Sequence, residues 1–223
     1  MPDRSFTVDV SNADSVTAIR TPAKPTARRG AAWTFVYAPG AGSNIHDPFG
    51  AYASRALAAQ GIATVRFQFP YMEAGRRGPD RPAVLEATWL AVIDAVRDGK
   101  TRLAAGGRSM GGRIASMVLA RGATADALAL FAYPLHPPGK PGQLRVDHFA
   151  SIKVPALFVS GTNDAFGSPG ELRAATKMLK RSKLHLLDGA DHGFAVPKST
   201  GRTRDDVWAE AVAAFTAWLA TIK

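Results

Sequence analysis

The stretch Gly107-Arg108-Ser109-Met110-Gly111 constrains this chain more than any other. A serine with glycine at both second neighbours can occupy a turn too tight for larger residues, and the flanking sequence supplies the elements that such a turn joins. Before it, Thr101-Arg102-Leu103-Ala104-Ala105 reads as a buried strand; after it, Ile114, Met117, Val118 and Arg121 fall at helical spacing. Strand, sharp turn and helix in that order are the setting of a nucleophile elbow. With this glycine and serine content the bare five-residue pattern would arise by chance in roughly one chain in ten, so its context carries the weight. Gly106 and Gly112 extend the glycines on both sides and ease the turn further.

A serine hydroxyl is a weak nucleophile until a base takes its proton, and the base needs a carboxylate to fix its tautomer. Both follow downstream. Pro155-Ala156-Leu157-Phe158-Val159-Ser160 reads as a buried strand and Gly161-Thr162-Asn163-Asp164 as the turn after it, which places Asp164 at a strand's C-terminal end. His192 lies in Asp188-Gly189-Ala190-Asp191-His192-Gly193-Phe194, after the strand Lys183-Leu184-His185-Leu186-Leu187. Asp188 and Asp191 compete as the acid, but Asp191 adjoins His192 and so faces elsewhere, and Asp188 ends the strand before the histidine loop. The chain order Ser109, Asp164, His192 is that of one of the three unrelated orders known for this constellation.

With these residues in that order, the chain resembles the α/β-hydrolase superfamily over nearly its whole length, most of all its small members related to dienelactone hydrolases. Three segments carry a narrower resemblance: Tyr37-Ala38-Pro39-Gly40-Ala41-Gly42, Val65-Arg66-Phe67-Gln68-Phe69-Pro70-Tyr71-Met72-Glu73 and Gly106 to Gly112 look like bacterial hydrolase-like relatives of subunit 3 of the NSL chromatin complex. One departure separates the chain from dienelactone hydrolases proper, which use a cysteine nucleophile: there is no Cys here. The resemblance implies an oxyanion hole built from the N–H of Met110 and an N–H from the loop after Trp33-Thr34-Phe35-Val36-Tyr37, with Ala41 the first candidate and Gly40 the next. Pro39 stands where many relatives carry a histidine.

The implied architecture is an α/β-hydrolase fold filling residues 1–223 as one domain, with an eight-stranded, mostly parallel sheet covered by helices on both faces. Strands are expected near Phe6–Val10, Val16–Arg20, Trp33–Ala38, Ile62–Gln68, Arg102–Ala105, Ala127–Ala132, Ala156–Ser160 and Lys183–Leu187, and helices at Phe49–Gln60, Val84–Arg97, Met110–Arg121, Pro169–Leu179 and Arg204–Ile222. In the last helix Trp208, Val212, Phe215, Leu219 and Ile222 form one apolar stripe, and Thr203 with Asp206 suits its start. The two N-terminal strands form the antiparallel edge. Between the sixth and seventh strands, roughly twenty residues rich in proline and glycine, Tyr133 to Lys153, cannot build a cap domain but can border a pocket.

Composition excludes more than it selects. Hydrophobic residues at 46% and charged residues at 21% mark a soluble globular chain, and the absence of Cys suits a reducing compartment, so a cytoplasmic location is expected. Neither a signal peptide nor a membrane span is legible; Arg28-Arg29 imitates a twin-arginine signal but lies too deep, and the apolar run behind it is the third strand. The formal charge of +10 is spread along the chain without a nucleic-acid-binding motif, so it reads as surface solvation. Arg76, Arg77 and Arg81 are better placed. They follow the fourth strand near the expected mouth of the site, where a guanidinium suits a substrate carboxylate or phosphate; the competing role is pairing with Glu73 and Asp80 to brace the loop. Tyr71, at the start of that loop, is a further substrate-binding candidate. His46, His136, His148 and His185 read as structural, and no histidine pair has metal-ligand spacing with a carboxylate, so neither metal nor other cofactor is expected. The expected partner is a small-molecule acyl substrate, an anionic one where the loop arginines bind it, rather than nucleic acid or membrane. A serine hydrolase acting on an ester, thioester or similar acyl bond is the leading expectation; a protein–protein adaptor that retains the fold is the alternative.

Overall fold

The computed structural model describes residues 2–10, 14–26 and 32–223; Arg28 and Arg29 fall outside them. A single eight-stranded sheet organises the chain. In sequence order the elements are β1 (Arg4–Asp9), β2 (Ser15–Thr21), β3 (Trp33–Ala38), α1 (Pro48–Ala59), β4 (Ile62–Phe67), α2 (Pro70–Glu73), α3 (Pro82–Val96), β5 (Arg102–Arg108), α4 (Met110–Ala120), β6 (Ala127–Phe131), β7 (Ala156–Gly161), α5 (Pro169–Thr176), β8 (Ser182–Leu187) and α6 (Arg204–Leu219). In space the strands run β1-β2-β4-β3-β5-β6-β7-β8. β2 pairs antiparallel with both β1 and β4, and every pairing from β4 through β8 is parallel. The eight strands and the antiparallel N-terminal edge therefore match the expectation.

Parallel strands joined by helices bury both faces, and β3, β4, β6 and β7 are buried at every residue. Two apolar clusters result. Alternation along β3 sends Val36 and Ala38 to a cluster shared with Trp89 of α3, Ile114 of α4 and Leu172 of α5, while Trp33, Phe35 and Tyr37 join Phe49 of α1 and Phe215 of α6. The apolar stripe of α6 packs as read through Leu219, where the helix ends three residues short of the expected Ile222, which is partly buried beyond it. Its capping box is complete: Thr203 Oγ1 accepts from Asp206 N–H, and the Asp206 carboxylate accepts from Thr203 N–H at 2.8 Å.

The departures have local causes. β5 runs on through Gly106 and Gly107 to Arg108, because those glycines serve close backbone approach inside the sheet and not the turn alone: a Cβ on Gly106 would sit 1.9 Å from the Ala129 carbonyl oxygen. α5 stops at Thr176, three residues short of the expected end. α2, a single turn, was not legible; Pro70 opens it, and the Asp80 carboxylate accepts from Tyr71 N–H at 2.8 Å. The segment between β6 and β7 holds no α-helix and is packed inward, with Tyr133, Leu135 and Phe149 all buried. Among the described residues no helix is long and apolar enough to cross a membrane.

Candidate active site

Ser109 sits between β5 and α4 with φ 50° and ψ −117°, the left-handed conformation that a side chain tolerates only under strain. Its glycine neighbours explain how the turn closes. A Cβ on Gly107 would lie 2.1 Å from the Ala38 carbonyl oxygen, and one on Gly111 would lie 2.3 Å from the same atom. Both glycines thus let β5 and α4 press against the end of β3, and this brings Gly40 against the serine: a Cβ there would meet Ser109 Cβ at 3.5 Å.

His192 reaches Ser109 from the loop after β8. Its Nε2 is 2.9 Å from Ser109 Oγ, and its Nδ1 lies 2.8 and 3.0 Å from the two Asp164 oxygens. The Asp164 side chain is 1% exposed and also accepts from Phe166 N–H at 2.8 Å. The Phe166 ring stacks on the imidazole, centroids 4.0 Å apart and planes inclined by 28°. The geometry separates the three aspartates. Asp191 turns its carboxylate to Ala195 N–H at 2.8 Å, and Asp188 approaches Thr162 Oγ1 at 3.5 Å, so of the three only Asp164 bonds the imidazole.

Beside Ser109 opens a pocket of about 630 Å³, lined by Gly40, Ala41, Met110 and His192 among others. The Pro39–Asp47 loop that forms one wall is held at several points. Tyr71 Oη donates to the Ala41 carbonyl at 2.8 Å, Ile45 N–H donates to Gln68 Oε1 at 3.0 Å, and Arg66 Nη1 donates to the Ile45 carbonyl at 2.8 Å. At its end the buried Asp47 caps α1 through Gly50 N–H at 2.8 Å and accepts from Tyr37 Oη at 2.5 Å. Burial and the Asp47 carboxylate keep the Tyr37 phenol protonated far above its usual range. The segments 37–42 and 65–73 meet in these contacts.

Residues 31–220 match the alpha/beta hydrolase domain family. The chain belongs to that family. Among solved structures it is similar to Est1E from Butyrivibrio proteoclasticus, with TM-score 0.75 and 16% identity over 97% of this chain and 99% of that one. It is also similar to an α/β serine hydrolase without lid from Xanthomonas campestris, with TM-score 0.75 and 20% identity over 97% and 94% of the two chains. A dienelactone hydrolase from Anabaena variabilis gives TM-score 0.71 and 18% identity over 97% of each chain. These likenesses establish the fold.

For an alpha/beta hydrolase domain with this topology, the position of the expected substrate contacts is informative. Arg76 and Arg77 line a smaller pocket that shares Ala41, Gly42 and Ser43 with the main one. Arg76 is tied to Asp80 at 2.6 Å, and Arg81 is the residue before α3. Tyr71 is buried, and its hydroxyl serves the Ala41 carbonyl; burial, reinforced by Asp80, pushes its pKa up to about 12. Of the other histidines, His148 bonds Ser116, His185 bonds Glu210, His136 bonds the Pro137 carbonyl and His46 is exposed. No cluster of three or more potential metal ligands occurs among the described residues.

Sequence reasoning missed three arginines that line the main pocket: Arg108, Arg113 and Arg145. Arg108 donates to the His192 carbonyl at 3.1 Å, pairs with Asp47 at 3.7 Å and lies over the Phe194 ring, so it ties the histidine loop to the start of α1. A signal for two of them was present: Arg108 precedes the serine, and Arg113 falls one helical turn after it.

Proposed function

We propose that this protein is a serine hydrolase that cleaves an ester, thioester or similarly activated acyl bond of a small substrate through an acyl-enzyme. The observation that carries this reading is the hydrogen-bonded line from buried Asp164 through His192 to Ser109, ending in an open pocket beside Gly40 and Ala41. Ser109 Oγ attacks the acyl carbon as His192 Nε2 takes its proton. The charge that develops on the carbonyl oxygen falls to the N–H groups of Met110 and Ala41, with Gly40 as the alternative donor, where preorganised dipoles are worth most. Collapse expels the alcohol or thiol, which leaves with the proton from His192, and water repeats the sequence to free the acid and restore Ser109. Asp164 holds the Nδ1–H tautomer and stabilises the imidazolium in both halves.

The chemistry in this reading needs no metal or cofactor, because base, acid and oxyanion donors are all protein groups. The substrate is met in the cytoplasm, and no capping domain restricts its approach. An adaptor role would leave the alignment of Asp164, His192 and Ser109 without a use, and nothing in the site favours it. Labelling with a fluorophosphonate probe at pH 8 tests the reading: a single adduct at Ser109, absent in Ser109→Ala, is expected. An adduct on another serine, or none on folded protein, contradicts it.

A further inference from the structure

Two of the three pocket arginines stand apart from the third. Arg108 pairs with Asp47 at 3.7 Å, whereas among the described residues neither Arg113 nor Arg145 lies within 4.0 Å of a carboxylate. Both line the Ser109 pocket. Arg113 lies four residues after Ser109, so its side chain leaves α4 on the face that carries the serine, and its Nη1 rests 3.5 Å from Met117 Sδ. Arg145 arrives from the packed segment between β6 and β7. Its backbone N–H donates to the Leu135 carbonyl at 2.8 Å, its carbonyl accepts from Tyr133 Oη at 2.6 Å, and its Nη1 reaches the Pro134 carbonyl at 3.3 Å.

The charge around the pair is unbalanced. Arg108 and Asp47 offset one another, and Asp164 is occupied by His192, which leaves the two half-buried guanidiniums as excess positive charge. Asp147 and His148 line a second pocket together with the same two arginines, but Asp147 makes no ion pair with either of them. Burial and the neighbouring Arg113 lower the Arg145 pKa, as expected for like charges held together without a counter-anion. Two planar forks on residues that line one cavity match the oxygens of a carboxylate or phosphate.

We propose that Arg113 and Arg145 bind an anionic group, a carboxylate or phosphate, on the substrate that Ser109 attacks. The proposal rests on the serine hydrolase reading for its chemistry but on the arginine pair for its selectivity, and it places that selectivity away from Arg76 and Arg77. The test compares the mono-p-nitrophenyl ester of adipic acid with its methyl-capped, neutral counterpart. Calorimetric titrations of free adipate and of inorganic phosphate then distinguish the two kinds of anion.

The parent is expected to prefer the anionic ester by about tenfold in kcat/KM, mainly through KM, with the preference shrinking between low and physiological salt. Arg113→Gln with Arg145→Gln removes most of that ratio, and Arg113→Lys with Arg145→Lys restores part of it. Equal turnover of the two esters by the parent overturns the proposal, as does a preference that survives in a folded double glutamine variant. If that variant fails to fold, the parent's ratio and its salt dependence decide. Adipate binding without turnover of either ester overturns the hydrolase reading and leaves the anion site standing; turnover of the neutral ester with neither anion bound does the reverse.

Discussion

Two loops meet at Ser109, and the groups they bring there are held in opposite ways. In the loop after β8 the His192 imidazole is fixed by one buried carboxylate, Asp164, and one stacked ring, Phe166. The Pro39–Asp47 loop, which carries Gly40 and Ala41, is fastened by Tyr71, Gln68, Arg66 and Tyr37 at separate points. In the proposed chemistry the difference has a purpose. The imidazole must exchange a proton on one nitrogen while the other stays fixed, and a single acid at Nδ1 does both. Backbone donors must not move at all, and redundant contacts suit them. Arg108 spans the two loops, donating to the His192 carbonyl and pairing with Asp47. Loss of one contact should therefore be severe at the imidazole and mild at the second loop.

The largest effect is expected from Asp164→Asn, which keeps the shape of the side chain but favours the wrong histidine tautomer. Ester kinetics should show kcat reduced about 10²- to 10⁴-fold with the circular dichroism spectrum unchanged. Asp188→Asn and Asp191→Asn should have far smaller effects. Severe damage from Asp188→Asn would move the acid to the end of β8 and remove one side of the comparison.

Arg108→Met comes next, because it breaks the link between the loops and strips Asp47 of its cation. Tyr37 Oη and Gly50 N–H remain to the carboxylate, so urea unfolding should register a loss of about 2 kcal/mol rather than collapse. Tyr71→Phe removes one of several anchors of the second loop. A cost near 1 kcal/mol and a fall in kcat of about fivefold, with KM nearly constant, is expected. A loss as large as that of Asp164→Asn would mean that the second loop hangs on a single bond after all.

The smallest effect lies outside both loops and serves as a control. Burial and the neighbouring Arg113 depress the His148 pKa from 6.5 to about 4. An unfolded chain takes up this proton near pH 6.5 and the folded one only near 4, so the associated stability is complete above 6.5 and is lost as the pH falls towards 4. His148→Gln should make the decline in unfolding free energy between those two values shallower. An unchanged slope would place the titration elsewhere.

What could be read in advance followed how local each signal is. The elbow, Asp164 and His192 were legible because strand ends and tight turns leave glycine and buried-strand patterns in the sequence. β5 was clipped because Gly106 and Gly107 look like turn residues, whereas the sheet needs them where the Ala129 and Ala38 carbonyls come too close for a side chain. The roles of Tyr71 and Arg108 were hidden for another reason. Each depends on a partner far along the chain, Ala41 at a separation of 30 positions from Tyr71 and His192 at 84 from Arg108, and no periodicity encodes such a contact. For the arginines of the loop after β4, the brace to Asp80 could be proposed from position alone and Arg76 forms it, whereas the want of a carboxylate beside Arg113 and Arg145 among the described residues is visible only in three dimensions.

The central claim is that Ser109 becomes acylated during turnover. Rapid mixing with a p-nitrophenyl ester, acid quenching and mass analysis of the proteolysed protein test it most directly. One peptide, that containing Ser109, is expected to be heavier by the acyl group, with the adduct accumulating in Asp164→Asn if deacylation is slowed more than acylation, and absent in Ser109→Ala. Turnover with the acyl group on another residue, or sustained turnover by Ser109→Ala, would contradict it.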